Sequence, residues 1–124
     1  MKRLKDIPPM FREALCIFSA FRKLGFAPEE IFLAKGLDMS KVPSLLMGIR
    51  IDDRDFFVSI APCSLSDDEV ASIWRRAIEI YKNTSQKEAQ KLWETSKIKK
   101  ESIEFVTAIL RKGFTIPLAN TTLN

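Results

Sequence analysis

Three carboxylates crowd one short stretch of the chain: Asp52, Asp53 and Asp55, with Arg54 among them. Closely spaced oxygen ligands are what a hard divalent cation takes, which makes this cluster a weak candidate for metal binding. A cation site needs further oxygens that so short a stretch does not supply, and Asp is also a preferred turn residue. No metal ligand set is therefore assigned. Cys16 and Cys63 are the only thiols, without zinc-type spacing, and read as reduced, buried or half-buried small hydrophobes.

The 124 residues contain no histidine. That removes Ser-His-Asp and Cys-His nucleophile arrangements, His metal sites and the commonest general base. Glycines 25, 36, 48 and 113 fall in no phosphate-cradling or dinucleotide pattern. No catalytic residue and no cofactor is nominated, and a non-enzymatic protein is expected.

Basic residues offer a second chemistry. Residues 1–74 carry ten Lys/Arg against eleven Asp/Glu, a net of −1, whereas residues 75–124 carry ten against five, a net of +5. Such asymmetry favours an anionic partner or marks the solvated faces of C-terminal helices. Residues 86–116 have the outline of a helix-turn-helix, in which Lys97, Lys99, Lys100 and Lys112 would meet phosphates. Against nucleic-acid binding, Glu101 and Glu104 lie on the would-be reading face, and Arg, the usual guanine reader, is absent from it until Arg111.

These residues must be positioned by a fold, and the fold is organised around residues 43–61. Leu45, Met47, Ile49 and Ile51 alternate onto one face, answered by Phe56, Val58 and Ile60 on a return strand. The other face is mixed: Leu46, Gly48 and Arg50 against Phe57, Ser59 and Ala61. Pro43 and Pro62 stand at the ends, where a missing amide donor costs little, and Asp52-Asp53-Arg54-Asp55 forms the tip. A hairpin alone is marginal in water, so helices must cover its apolar face.

Upstream, residues 1–8 read as a loose arm and residues 9–24 as a helix starting at Pro9 and ending before Gly25. Met10, Ala14, Ile17, Phe18, Phe21 and Leu24 form its apolar stripe, widened by Phe11, Leu15 and Cys16. A helix this apolar is buried on more than one side, against the sheet and another helix or in a subunit interface. Residues 31–35 read as a first strand and 36–42 as a loop.

Downstream, Ser66 and Glu69 fit a capping box ahead of Val70, Ile73, Trp74, Ala77, Ile78 and Tyr81, predicting a helix over 67–82. Ser85 and Glu88 form a second box, opening a helix with Ala89, Leu92 and Trp93. Thr95-Ser96 offers an interruption before a last helix with Ile103, Val106, Ile109 and Leu110, stopping at Gly113. Residues 114–116 read as extended and 117–124 as a mobile tail.

The expected architecture is a single α+β domain over residues 1–124. A small antiparallel sheet of about three strands, a meander over 31–61, packs on the N-terminal helix, and a helical part with two to three helices follows over 66–113. No apolar run reaches the ~20 residues of a membrane span, and the start MKRLKD reads as cytosolic, giving a cytoplasmic protein with no membrane partner. The functional expectation is a protein-interaction module whose simplest partner is a second copy, with Phe11, Leu15, Leu46 and Phe57 as interface candidates. Nucleic-acid binding through 86–116 is the alternative. Capping boxes and hairpins are folding signals that many domains share, so they do not give function.

Overall fold

The computed structural model describes residues 1–94 and 96–112. Helix α1 spans Pro9–Lys23, strands β1, β2 and β3 span Ile31–Leu37, Pro43–Ile51 and Arg54–Pro62, and helices α2, α3 and α4 span Asp67–Lys82, Gln86–Trp93 and Lys97–Lys112. The expected α+β architecture is the observed one. No helix among the described residues is long and apolar enough to cross a membrane.

The strands form an antiparallel meander in the order β1-β2-β3. On the first face the register aligns Ile31, Ile49 and Phe56 in one row and Leu33, Met47 and Val58 in the next. Helix α1 lies across these rows, and α2 and α4 pack beside it. Phe11, Leu15, Ile17 and Phe21 of α1 are fully buried there together with Leu45, Met47 and Phe56. The helix is thus enclosed by the sheet and by other helices, as its wide apolar stripe requires.

The sheet differs from the sequence reading in three features. The first strand runs two residues further, because Gly36 and Leu37 continue the ladder opposite Ser44 and Pro43. The hairpin tip is tighter than four residues: Ile51 pairs with Arg54, leaving Asp52 and Asp53 as a two-residue turn with φ of 48° and 66°. Positive φ at both central positions is the type I′ requirement, which Asp tolerates better than most residues. Finally, a bulge shifts the register beside Leu45 and Leu46, which pair with Ala61 and Ser59 and leave Ile60 as the extra residue. Ala61 consequently joins Leu45 on the first face instead of sharing the second with Phe57 and Ser59, since one added residue reverses a period-2 pattern.

The second face is held by two close approaches. Phe32 lies over Gly48, where a Cβ would sit 2.3 Å from the ring, and Leu46 lies over Gly36, where a Cβ would sit 2.9 Å from the Leu46 Cδ1. Phe32 meets Phe57 edge-on across Gly48, with ring centroids 5.5 Å apart.

The N-terminal arm is docked, not loose. Leu4 and Ile7 are buried in the core on either side of a single helical turn, and Asp6 Oδ2 accepts from the amide of Arg3 at 3.2 Å. Two apolar residues within eight were enough to anchor it. Pro8 then opens α1 by accepting from the amides of Phe11 and Arg12, and Gly25 follows α1 with a φ of 105°.

The two capping serines hold as expected: Ser66 Oγ accepts from Glu69 N and Ser85 Oγ from Glu88 N, both at 3.2 Å. Glu69 returns the bond by accepting from Ser66 N, which holds its carboxyl below the usual range. Residues 86–112 are two helices, not one. Ser96 caps the second by accepting from Lys99 N at 3.2 Å. The expectations for a stop at Gly113, an extended segment at 114–116 and a mobile tail at 117–124 lie outside the described residues.

Candidate interaction surface

The acidic cluster does not converge. Asp55 stands directly opposite Arg50 in the β2–β3 register and accepts from its Nε at 2.9 Å and its Nη2 at 3.4 Å. Asp52 and Asp53 occupy the exposed turn. No group of three His, Cys, Asp or Glu residues that could hold a metal ion is present among the described residues.

The lysines of the helix-turn-helix outline are split by the fold. Lys97 and Lys100 are exposed on α4, interleaved with exposed Glu101 and Glu104. Lys99 turns inward instead, and its Nζ donates to the Trp93 carbonyl at the end of α3 at 3.3 Å. It serves the C-terminal carbonyls of one helix while its own amide is capped at the start of the next, so it is not presented to a phosphate backbone. The side chain of Lys112 lies outside the described residues.

Of the interface candidates, Phe11 and Leu15 are fully buried within the chain and offer no surface. Their stripe faces the sheet, which removes the need for an outside partner. Leu46 is also buried, flattened over Gly36. Phe57 alone is half-exposed, on the second sheet face.

Phe57 borders a feature that the sequence did not reveal. Strand β3 is an edge strand, and a groove of about 390 Å³ runs between it and α4. Its apolar walls are Met39, Phe57, Val58, Ile98 and Phe105. Residues 56–61 of this edge, FFVSIA, carry no charge. Soluble proteins commonly protect such an edge with a lysine, a proline or a covering segment.

Met39, 70% exposed, overhangs the groove from the β1–β2 loop. The loop is shaped for this: Asp38 Oδ1 accepts from the amides of Ser40 and Val42 at 2.8 and 2.9 Å, and Lys41 adopts a φ of 62°. Leu37 and Val42 are exposed beside it. The available signal was three large apolar residues, Leu37, Met39 and Val42, in a stretch that is otherwise loop-like.

The thiols are set apart from this surface. Cys16 and Cys63 are both buried and free. Burial pushes the Cys16 thiol from an ordinary 9.0 up to about 11, with Lys99 and Ser96 pulling it partly back.

No protein-family model, no curated protein and no solved structure matches this chain.

Proposed function

We propose that this protein is a small non-enzymatic interaction module that pairs with a second copy of itself along β3. The observation that carries the reading is the uncharged β3 edge lying beside an apolar groove and an exposed Met39. Strand addition at an open edge supplies affinity through main-chain hydrogen bonds, and flanking pockets supply specificity. A two-fold axis across β3 makes the two edges antiparallel, joins two three-stranded sheets into one, and brings no like charges together within residues 56–61. Met39, Phe57, Ile98 and Phe105 of each copy then lose water contact. The absence of histidine and of any recognisable nucleophile–base arrangement agrees with a role in contact, not bond-making.

Sedimentation equilibrium tests it. The expected mass at high concentration is about 28 kDa, twice the 14.2 kDa of one chain. Ser59→Lys with Met39→Glu alters two exposed positions and should return the mass to that of one chain with an unchanged circular dichroism spectrum. A wild-type mass of one chain at all concentrations overturns the proposal, and a dimer indifferent to both substitutions overturns the choice of β3.

A further inference from the structure

A cleft lined by α1, α2 and Ile31 of β1 shares no lining residue with the groove just described. Its larger part, about 550 Å³, is floored by Phe18, Trp74 and Tyr81. An adjoining part of about 470 Å³ extends past Tyr81 to Trp93. Ser19 and Lys23 line both parts and a third, smaller recess that reaches Cys16 and Lys99, so the three adjoin one another along α1 and together are called the channel. Ser19 lies outside the apolar stripe of α1 and is buried beside the channel.

The rings are fixed before anything binds. Phe18 meets Trp74 edge-on at 6.0 Å and Tyr81 edge-on at 6.1 Å, and Tyr81 lies tilted against Trp93 at 5.6 Å. Trp74 and Tyr81 remain half-exposed in the larger part of the cleft, so they can take a flat ring.

The charges around this floor have one sign. Arg22, Lys23, Lys82 and Lys87 stand exposed at the rim, and among the described residues neither an Asp nor a Glu lines any part of the channel. Among the described residues Arg50–Asp55 is the one ion pair, so none of the rim cations is paired with a described carboxylate. Arg22 is pinned in place, its Nη1 donating to the Phe26 carbonyl at 2.9 Å.

An independent observation points to a ligand. Trp93 lines the channel, is only 6% exposed, and its indole Nε1 has no hydrogen-bond partner among the described residues. A buried N–H left without an acceptor is costly, and native proteins rarely retain one without a use. The channel thus offers cations, an orphaned donor and aromatic faces, and lacks anionic groups. A ligand that fits carries a negative charge, several acceptors and a planar ring.

We propose that this channel binds a nucleoside phosphate, its base against Trp74 and Tyr81 and its phosphate among Lys23, Lys82 and Lys87. The volume lies in the ordinary range for a small-molecule site. Stacking on aromatic rings and charge attraction to a basic groove are two terms by which proteins hold bases and phosphates without a glycine-rich loop.

The two tryptophans of the chain both line this channel, so intrinsic fluorescence reports on it directly. Titration with a nucleoside monophosphate and a triphosphate should give saturable quenching. Uridine alone and inorganic phosphate alone should bind at least about tenfold more weakly, each lacking one of the two terms. Lys23→Glu with Lys82→Glu, both exposed and without an ion pair among the described residues, should weaken nucleotide binding by more than about tenfold at an unchanged melting temperature. Trp93→Phe, which removes the orphaned donor and leaves a smaller aromatic ring, should weaken nucleotide binding in a protein that still folds, at a modest cost in melting temperature from the lost packing. Absence of quenching by any nucleotide, or binding indifferent to the double charge reversal, overturns the proposal. So does inorganic phosphate binding as tightly as the nucleotides, or binding seen only with a single-stranded oligonucleotide.

Discussion

Ser96 and Glu13, separated by 83 positions in the chain, share a hydrogen bond of 2.6 Å in which the serine hydroxyl donates to the carboxylate Oε2. The same hydroxyl oxygen accepts from Lys99 N, so one atom both caps α4 and ties it to α1. A short, charge-assisted bond in a half-buried setting is stronger than a neutral one. The start of the last helix is therefore positioned by the first.

Replacing Ser96 with Ala removes the cap and leaves the Glu13 carboxylate without its donor. The expected loss is about 1–2 kcal/mol in urea-induced unfolding. Hydrogen exchange should accelerate at the amides of 97–99 before it does elsewhere, since α4 frays from its uncapped end. Glu13→Gln keeps an acceptor at the same place and should cost less than Ser96→Ala. Equal stability of Ser96→Ala and wild type would show that the tie contributes nothing.

The second prediction concerns Gly48. In a central strand, Ala or Val ordinarily outperforms Gly, because Gly gives up more backbone freedom and packs nothing. Here the sign reverses, since a Cβ would lie 2.3 Å from the Phe32 ring. Gly48→Ala should destabilise by about 1–3 kcal/mol, the range for overpacking, by forcing the ring off Phe57. Phe32→Ala removes the obstacle, so the double variant should be more stable than the sum of the singles by more than about 0.5 kcal/mol. Strict additivity in a double-mutant cycle would rule out the contact as the reason for glycine at this position.

Much of this architecture is legible because it is written in local periods. Val70, Ile73, Trp74 and Ala77 repeat with helical spacing behind a capping serine, and Leu45, Met47 and Ile49 alternate as a strand must. The parts that were not legible depend on residues distant in sequence. The bulge at Leu45/Leu46 depends on how β3 meets β2, and it moves Ala61 across the sheet. The cap at Ser96 lacks the acidic residue three places on, because position 99 is a lysine that serves Trp93 instead. The walls of the β3 groove come from a loop, a strand and a helix up to 66 positions apart, from Met39 to Phe105. Of the four interface candidates, Phe57 is the one that borders it, while Phe11 and Leu15 belong to the core. An apolar side chain announces burial, but not whether its own chain or a neighbour does the burying.

The last prediction follows from the Cys16 thiol, whose burial raises it from 9.0 to about 11. Below pH 9 the thiol is protonated in both the folded and the unfolded chain and has no effect on the balance between them. Between about pH 9 and 11 the unfolded chain gives up the proton while the folded one keeps it. The native state then binds more protons, and stability falls as pH rises. Two units correspond to about 2–3 kcal/mol. The quantity to measure is the difference between wild type and Cys16→Ala, which isolates the thiol. The variant should be less stable near pH 7, from the lost packing, yet lose less stability between pH 9 and 11. Parallel stability curves for the two proteins across that window would mean that the thiol titrates alike in both states. The same burial makes Cys16 resistant to iodoacetamide at pH 8 in the folded protein, with modification appearing on addition of urea.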